Sequence, residues 1–236
     1  MPGFKISFAG AGKVASALCR KAHKAGHGII QIVSPGEKSG KLLASSCGAK
    51  WSDRLNFGND TDLVIVAVPD SMLEEVLYAI SCPARAVVAH TAGSFGLEVF
   101  PPGTEHKGVL YPLQTFTLNR EPDFSRINFF IETSDNYSAS LLSQFAESLG
   151  SNVRSSTTGQ RTILHIAAVF ACNFTNHMLT ASKEIALKSE MPFEVLEPLI
   201  YETLNKAMEM GPERSQTGPA IRNDLVTIRK HLDKLS

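Results

Sequence analysis

The fold of this chain is decided by the stretch Phe4-Lys-Ile-Ser-Phe-Ala-Gly10-Ala-Gly12-Lys-Val-Ala15. An apolar strand runs into a glycine-rich turn, and a helix is predicted to follow directly. Gly10 permits the tight turn, and Gly12 lets a pyrophosphate approach the main chain. The unpaired N–H groups at the start of the helix would face that anion. We therefore predict a dinucleotide site whose first turn comprises Gly10, Ala11, Gly12, Lys13 and Val14, with Ala15 in the third glycine position, as the pattern allows.

Composition indicates a globular protein of 236 residues, enough for one large domain or two modest ones. Lys plus Arg and Asp plus Glu both total 23, so net charge gives no reason to predict nucleic acid or an anionic membrane as a partner. Apolar runs such as residues 63–68 are too short to span a bilayer, and no leader precedes the first strand. We therefore predict a cytoplasmic protein.

The cysteines are scattered without the Cys-x-x-Cys spacing of a zinc site. We expect reduced, mostly buried thiols, neither a metal site nor a disulfide framework, at Cys19, Cys47, Cys82 and Cys172.

Residues 1–155 alternate short apolar strands with helices, which is typical of a parallel sheet covered on both faces. Strands are predicted at 5–9, 29–33, 63–68, 86–89, 108–111 and 127–131, and helices at 12–25, 41–47, 72–80 and 138–149. Residues 156–236 are predicted to be all helical, with helices over 160–190, from 192 to 210, and from 217 onward. The predicted fold class is thus α/β: a Rossmann-type doubly wound parallel sheet followed by an all-α domain.

The helix predicted over 160–190 is amphipathic when it is projected at 100° per residue. One face is apolar and contains Ile163, Ala167, Phe170, Phe174, Ala181 and Ile185. The opposite face is polar and contains His165, Cys172, Asn176 and Lys183, flanked by Asn173 and Thr180. Three such helices cannot cover both a cleft and their own apolar faces, so we expect a homodimer through the helical domain. The methionines at 191, 208 and 210 are expected in the core.

The end of the second strand bears on the choice of cofactor. An NAD site usually carries an acidic residue there, whereas this chain has Ser34, whose hydroxyl can donate to a 2′-phosphate. Lys38 and Lys41 follow and could pair with that phosphate, although Glu37 lies in the same turn. We predict NADP over NAD; the alternative is that this segment is a polar turn without a binding role.

Two further strand ends complete the predicted cofactor site. Val68 and Pro69 end a strand buried on both faces, at the edge where open α/β sheets bind ligands. His90 and Thr91 end the next strand, followed by small residues that would let a ring lie against the backbone. Pro69 could instead only terminate its strand, and His90 could be a structural residue.

Together these motifs resemble the 6-phosphogluconate dehydrogenase-like superfamily, which includes ketopantoate reductase and pyrroline-5-carboxylate reductase. The similarity rests on residues 10–15, on Asp62-Leu-Val-Ile-Val-Ala-Val-Pro69 and on the long helix. A closer resemblance, over nearly the whole chain, is to bacterial proteins that join a Rossmann-like domain to a DUF2520 domain. It rests on Tyr111-Pro-Leu-Gln-Thr-Phe116, His165-Ile-Ala-Ala-Val-Phe-Ala-Cys-Asn173 and Thr217-Gly-Pro-Ala-Ile-Arg222-Asn-Asp224. The resemblance implies an NADP-dependent oxidoreductase, names no substrate, and implies pairing through the helical domain.

The resemblance also suggests catalytic residues. Relatives carry a lysine as general acid near the start of the long helix and an asparagine one or two turns later that orients the substrate. The comparable positions are His165, which can donate a proton near neutral pH, and Asn173 and Asn176. Each could instead be structural. Asp224, with Arg222, could cap the last helix or reach a partner's cleft, and the resemblance implies Gly where this chain has Asn223.

Two functions follow from these residues. The first is an NADP-dependent reductase of a small carbonyl or imine substrate. The second is a catalytically silent dinucleotide-binding sensor or scaffold, which the missing lysine favours and the polar helix face opposes. Binding of another nucleotide by the same turn is a third possibility, because fold does not dictate function.

Overall fold

The structure is a computed structural model that describes residues 3–118 and 120–235. The chain divides into two compact units, Met1–Cys172 and Asn173–Ser236, which are described separately. The predicted domain limit after residue 155 stays a prediction.

The first unit contains an eight-stranded sheet in the order β3-β2-β1-β4-β5-β6-β7-β8. Its strands are β1 (Lys5–Ala9), β2 (Gly28–Val33), β3 (Lys50–Ser52), β4 (Leu63–Val66), β5 (Val87–His90), β6 (Lys107–Pro112), β7 (Asn128–Thr133) and β8 (Asn152–Ser155). The pairs from β3 to β6 are parallel, β6 and β7 are antiparallel, and β7 and β8 are parallel to each other. The predicted Rossmann-type class is confirmed, and the sheet is mostly parallel, with β7 and β8 running opposite to the other strands.

Six strands were predicted and two were missed. The missed strands, β3 and β8, are the two edges of the sheet and consist of Lys-Trp-Ser and Asn-Val-Arg-Ser. An edge strand needs no continuous apolar run, so neither has the pattern by which buried strands are recognised.

The helices of the first unit are α1 (Lys13–Lys24), α2 (Glu37–Ser46), α3 (Leu73–Ala79), α4 (Asn136–Ser148) and α5 (Thr158–Ala168). Alternate residues of β4 pack into different cores: Leu63 and Ile65 contact the layer that includes α1 and α4, while Val64 and Val66 contact the layer that includes α3. The strand is therefore buried on both faces, as its β-branched sequence predicts. The paired strand ends at Val66, two residues before the predicted limit.

The start of α5 is fixed by a capping box. The Gln160 N–H donates to the Thr157 hydroxyl, and the Gln160 side chain accepts from the Thr157 N–H. These bonds satisfy N–H groups that the helix itself leaves unpaired, so α5 begins two residues before its predicted start.

After α5 the backbone forms a π-helical segment, Val169–Phe174, before α6 (Thr175–Leu187). A π-helix closes i→i+5 hydrogen bonds and so changes the angle between successive residues. The continuous helix predicted over residues 160–190 is thus interrupted, and the predicted apolar face, which assumed one constant period, stays a prediction.

The second unit contains α6, α7 (Glu197–Met210), α8 (Pro212–Ser215) and α9 (Leu225–Leu235). Asn223 precedes α9 with φ of 52°, a left-handed conformation that glycine adopts most easily. This explains why a glycine was expected there. Asp224 accepts hydrogen bonds from the Thr227 N–H (3.0 Å) and hydroxyl (2.8 Å), so it caps α9.

The second unit exposes most of its apolar side chains. Ala186 is the one buried hydrophobic residue among the described residues of this unit. Met208 is 83% exposed, and Met191 and Met210 are also at least half exposed, so their predicted place in the core was wrong.

The cysteines are free thiols. Cys19 and Cys47 are buried with their Sγ atoms 3.2 Å apart, Cys82 is half-buried, and Cys172 is exposed. Across residues 3–118 and 120–235, no group of three or more acidic, histidine and cysteine side chains could hold a metal ion. None of the helices within those ranges has the length and apolar character needed to cross a membrane.

Candidate active site

The glycine turn has the geometry that its sequence predicts. Gly10 has φ of 113°, and a Cβ there would overlap the carbonyl oxygen of Ala67. The Gly10 N–H donates to the Val33 carbonyl at 2.7 Å, which holds the turn against β2. Only glycine satisfies both the angle and the contact.

Gly12 differs from Gly10 because a Cβ there would meet no heavy atom within 4 Å. It is the N-cap residue of α1 and offers no side chain to the first N–H groups of the helix. Those groups have no intrahelical acceptor, so they face open space with the positive end of the helix dipole behind them. This arrangement fits the pyrophosphate of a dinucleotide.

A cavity of about 390 Å³ lies at the carboxyl ends of β1, β4, β5 and β6. Its lining comprises Gly12, Lys13, Val14, Ala67, Val68, Pro69, Asp70, Thr91, Ala92, Gly93, Tyr111, Pro112, Gln114, Phe116 and His165. The cavity thus brings together Gly12, Lys13 and Val14 of the predicted first turn, the predicted strand-end residues Val68, Pro69 and Thr91, and His165; Gly10, Ala11 and His90 are not in its lining. Its position is the ligand-binding edge of open α/β sheets.

Ser34 does not have the environment predicted for a 2′-phosphate ligand. Its side chain is buried; the hydroxyl donates to the Gly36 carbonyl at 3.2 Å and accepts from Trp51 Nε1 at 3.3 Å. The single hydroxyl hydrogen is therefore used within the chain, and the predicted contact of Ser34 with a 2′-phosphate stays a prediction. Lys38 is exposed at the start of α2, while Lys41 pairs with Glu37.

His90 is fully buried and does not line the cavity. Its Nδ1 accepts from the Ala92 N–H at 3.3 Å, and its Nε2 donates to the Gly96 carbonyl at 3.2 Å. Burial lowers the pKa of His90 to about 4, so the ring is neutral near pH 7. These contacts fit the alternative of a structural role for His90 better than contact with a cofactor. Thr91, in contrast, lines the cavity.

His165 is hydrogen-bonded to a residue that sequence reasoning missed. Tyr111, near the end of β6, has its Oη 3.0 Å from His165 Nδ1, with the rings edge-on at 72°. Tyr111 begins the 111–116 motif, and its place at a strand end on the binding edge was the available signal. The sequence could not show that α5 returns over that strand end.

Arg161 was also missed, and it is the largest fully buried side chain. Its Nη1 lies 2.6 Å from Glu132 Oε2 on β7, and its Nη2 donates to the Phe95 carbonyl at 2.7 Å. Thr158 Oγ1 donates to the same carboxylate at 2.9 Å. These bonds fix the first turn of α5, one turn before His165.

Asn173 and Asn176 are exposed residues of the second unit, in the π-helical segment and in α6. Their predicted roles in substrate orientation stay predictions.

The geometry can be compared with known proteins. Residues 5–93 match the family described as "NADP oxidoreductase coenzyme F420-dependent", and residues 127–236 match DUF2520, a domain of unknown function. A Bacteroides fragilis crystal structure named "putative NADP oxidoreductase BF3122" is 39% identical to this chain. The match covers 100% of this chain and 92% of the other, with a TM-score of 0.91. The chain belongs to this NADP oxidoreductase family. NADP is accordingly its cofactor, and the predicted resemblance to the DUF2520 group is confirmed.

More distant structures share the fold of this NADP oxidoreductase. They include Thermotoga maritima TM1727 (21% identity, TM-score 0.71, covering 98% of this chain and 89% of that one). A Plasmodium falciparum pyrroline carboxylate reductase with NADP bound is 11% identical, with a TM-score of 0.65 and coverage of 98% and 92%. No match was found among curated proteins.

Proposed function

We propose that this NADP oxidoreductase transfers a hydride between the nicotinamide and a small carbonyl or imine substrate. The observation that carries the proposal is that His165 lines the same cavity as the glycine turn at Gly12. A proton donor and a phosphate-binding helix start are both needed for such a reduction, and here they share one space.

The residues of the chain have distinct parts in this proposal. The first-turn N–H groups of α1 hold the pyrophosphate, and Val68, Pro69 and Thr91 border the space for the nicotinamide half. NADPH, when bound, supplies the hydride. The imidazolium of His165 gives its proton to the oxygen or nitrogen whose bond to carbon is reduced, and it is left neutral.

Binding measurements test the cofactor step first. NADPH should raise the Tm of the protein more than NADH does at equal concentration. If neither nucleotide binds, the oxidoreductase proposal fails. If NADPH binds and none of glyoxylate, acetaldehyde or 1-pyrroline accelerates its oxidation, the silent sensor becomes the better account.

A matched pair of histidine variants tests the proton donor. His165→Gln should leave NADPH affinity within about twofold of wild type and lower kcat by roughly 100-fold or more, since a general acid contributes about that much. His177→Gln is the control, because His177 is an exposed histidine of α6. Equal kcat in the two variants would remove His165 from this role.

We also propose that Asn173 and Asn176 orient the substrate, as their positions after His165 suggest. Support comes from the exposure of both side chains to solvent. Replacing either by Ala should raise KM for the substrate without changing NADPH affinity. A raised Kd for NADPH instead would assign them to the cofactor.

We infer a homodimer through the helical domain, residues 156–236, in a cytoplasmic protein. The support for dimerisation is the exposed apolar surface of α7 and α9, which includes Leu199, Met208 and Leu225. Light scattering at micromolar concentration should give twice the chain mass. Met208→Glu should shift the protein toward monomer, and a monomeric wild type would contradict the inference. Cell fractionation tests the location.

A further inference from the structure

The hydrogen bond between Tyr111 and His165 lies in closely fitted surroundings. Tyr111 is only 8% exposed, and its Oη is 3.0 Å from His165 Nδ1. A Cβ on Gly93 would lie 3.0 to 3.1 Å from the Tyr111 ring and 3.1 Å from His165 Nδ1. The loop after β5 therefore passes directly beside this bond, and a side chain at position 93 would require the two rings to shift by a few tenths of an ångström.

Two buried groups hold the surroundings of the pair in place. His90 binds both the Ala92 N–H and the Gly96 carbonyl, which shapes the loop that carries Gly93. Arg161 binds the Phe95 carbonyl from the same loop and Glu132 from β7, which fixes the turn of α5 before His165. The positions of both rings are thus set by packing and by hydrogen bonds.

The hydroxyl of Tyr111 has one hydrogen-bond partner within residues 3–118 and 120–235, namely His165 Nδ1, to which it can donate. Burial raises the pKa of Tyr111, and the charge of Asp70 adds to this, so the phenol stays protonated near neutral pH. A neutral imidazole that accepts at Nδ1 carries its hydrogen on Nε2. Nε2 of His165 makes no hydrogen bond to any described residue, and the ring lines the cavity.

We propose that Tyr111 is a positioning residue that holds the resting imidazole of His165 in its Nε2–H tautomer, with Nε2 available to the substrate. This inference rests on the proposed function of His165. When His165 is protonated, the phenol oxygen accepts from Nδ1–H instead. The Nε2 proton then passes to the substrate oxygen or nitrogen, the imidazole is left neutral with its hydrogen on Nδ1, and Tyr111 gains and loses no proton.

The test uses the full-length, cofactor-free protein labelled with ¹⁵N in its histidines. Long-range ¹H–¹⁵N spectra at alkaline pH report which ring nitrogen carries the hydrogen, and His165→Gln identifies the His165 signals. Wild type should show the Nε2–H tautomer with a hydrogen-bonded Nδ1. Tyr111→Phe should displace the Nδ1 resonance and lower the Nε2–H fraction. Unchanged nitrogen shifts would overturn the inference.

Tyr137→Phe is the matched control, because Tyr137 also lies against a histidine, with its ring 4.8 Å from that of His106. It should leave the His165 signals unchanged. Should Tyr111→Phe fail to fold, Gly93→Ala tests the same bond, since the added methyl group would displace the two rings while both polar groups remain. It should produce the same change in the His165 Nδ1 resonance, and wild-type shifts in that folded variant would count against the proposal.

Kinetics add a second readout that separates this inference from the proposed function. Tyr111→Phe should lower kcat roughly tenfold to 100-fold while the Kd for NADPH stays at its wild-type value. A wild-type protein that does not bind NADPH would refute the proposed function, and the tautomer measurement would still decide the role of Tyr111. A raised Kd for NADPH with unchanged kcat would contradict the positioning role.

Discussion

Arg161 and Glu132 form an ion pair with Nη1 and Oε2 2.6 Å apart, and Arg161 has no exposed surface. The pair joins the first turn of α5 to β7. Removing one member of a buried pair leaves an uncompensated charge, which typically costs about 3–5 kcal/mol.

We predict that Glu132→Gln lowers the free energy of unfolding by roughly 3 kcal/mol, since the guanidinium is then buried without its counter-ion. Arg161→Met should cost less, because Glu132 is 24% exposed and can be partly hydrated. The double variant should be more stable than the two single effects predict, as measured by urea unfolding. Strict additivity would show that the charges do not interact.

The two glycines of the turn should respond differently to the same change. Gly10→Ala should destabilise the protein by more than about 1 kcal/mol. The positive φ at this position is strained for alanine, and its Cβ would overlap the Ala67 carbonyl oxygen. Gly12→Ala should leave stability within about 0.5 kcal/mol. It should nevertheless weaken NADPH binding by roughly tenfold, or about 1.4 kcal/mol, because the methyl group occupies the space of the pyrophosphate. Thermal unfolding and titration calorimetry check both, and normal affinity in Gly12→Ala would contradict the assigned site.

Cofactor choice should depend on Lys38 more than on Ser34. Lys38→Ala should reduce the preference for NADPH over NADH by roughly tenfold, since a charge-assisted contact is worth about 1.5–3 kcal/mol. Ser34→Ala should leave that preference unchanged, because its hydroxyl is bonded to Gly36 and Trp51. Trp51 is the single tryptophan of the chain, so its fluorescence can be used to measure nucleotide binding in both variants. A lost preference in Ser34→Ala would restore the sequence prediction.

Local sequence patterns predicted the parts of the fold that local physics determines. The limits of β1 were predicted to the residue, and α1 was placed within one residue at each end, because a buried strand, a glycine turn and an amphipathic helix each have a distinct period. The π-helical segment at Val169–Phe174 and the edge strands β3 and β8 lack such a period, so they were missed.

The candidate site also combines features that local sequence determines with features that depend on tertiary contacts. The role of Gly12 follows from its neighbours in sequence, whereas the hydrogen bond between Tyr111 and His165 joins residues 54 positions apart. The environment of Ser34 has both characters, since its acceptor, the Gly36 carbonyl, is local, whereas its donor, Trp51, lies 17 positions away. Contacts between segments that are distant in sequence depend on tertiary packing, which a single sequence without homologues does not reveal.

The stability of the protein should depend on pH through the buried ring of His90. Because burial lowers its folded pKa from 6.5 to about 4, the unfolded chain binds a proton more readily over that interval. The contribution of the neutral His90 ring to the free energy of unfolding is therefore fully present above about pH 6.5. It is lost as the pH falls toward 4, by up to about 3 kcal/mol. His90→Asn should be less stable at pH 7 but lose less on acidification. Urea unfolding of wild type and His90→Asn at pH 7 and 4.5 measures how much unfolding free energy each protein loses on acidification. The pKa of His27 is also lowered by burial, but His27 is present in both proteins, so its contribution cancels in the comparison. Parallel pH dependences would show that His90 is not neutral in the folded protein.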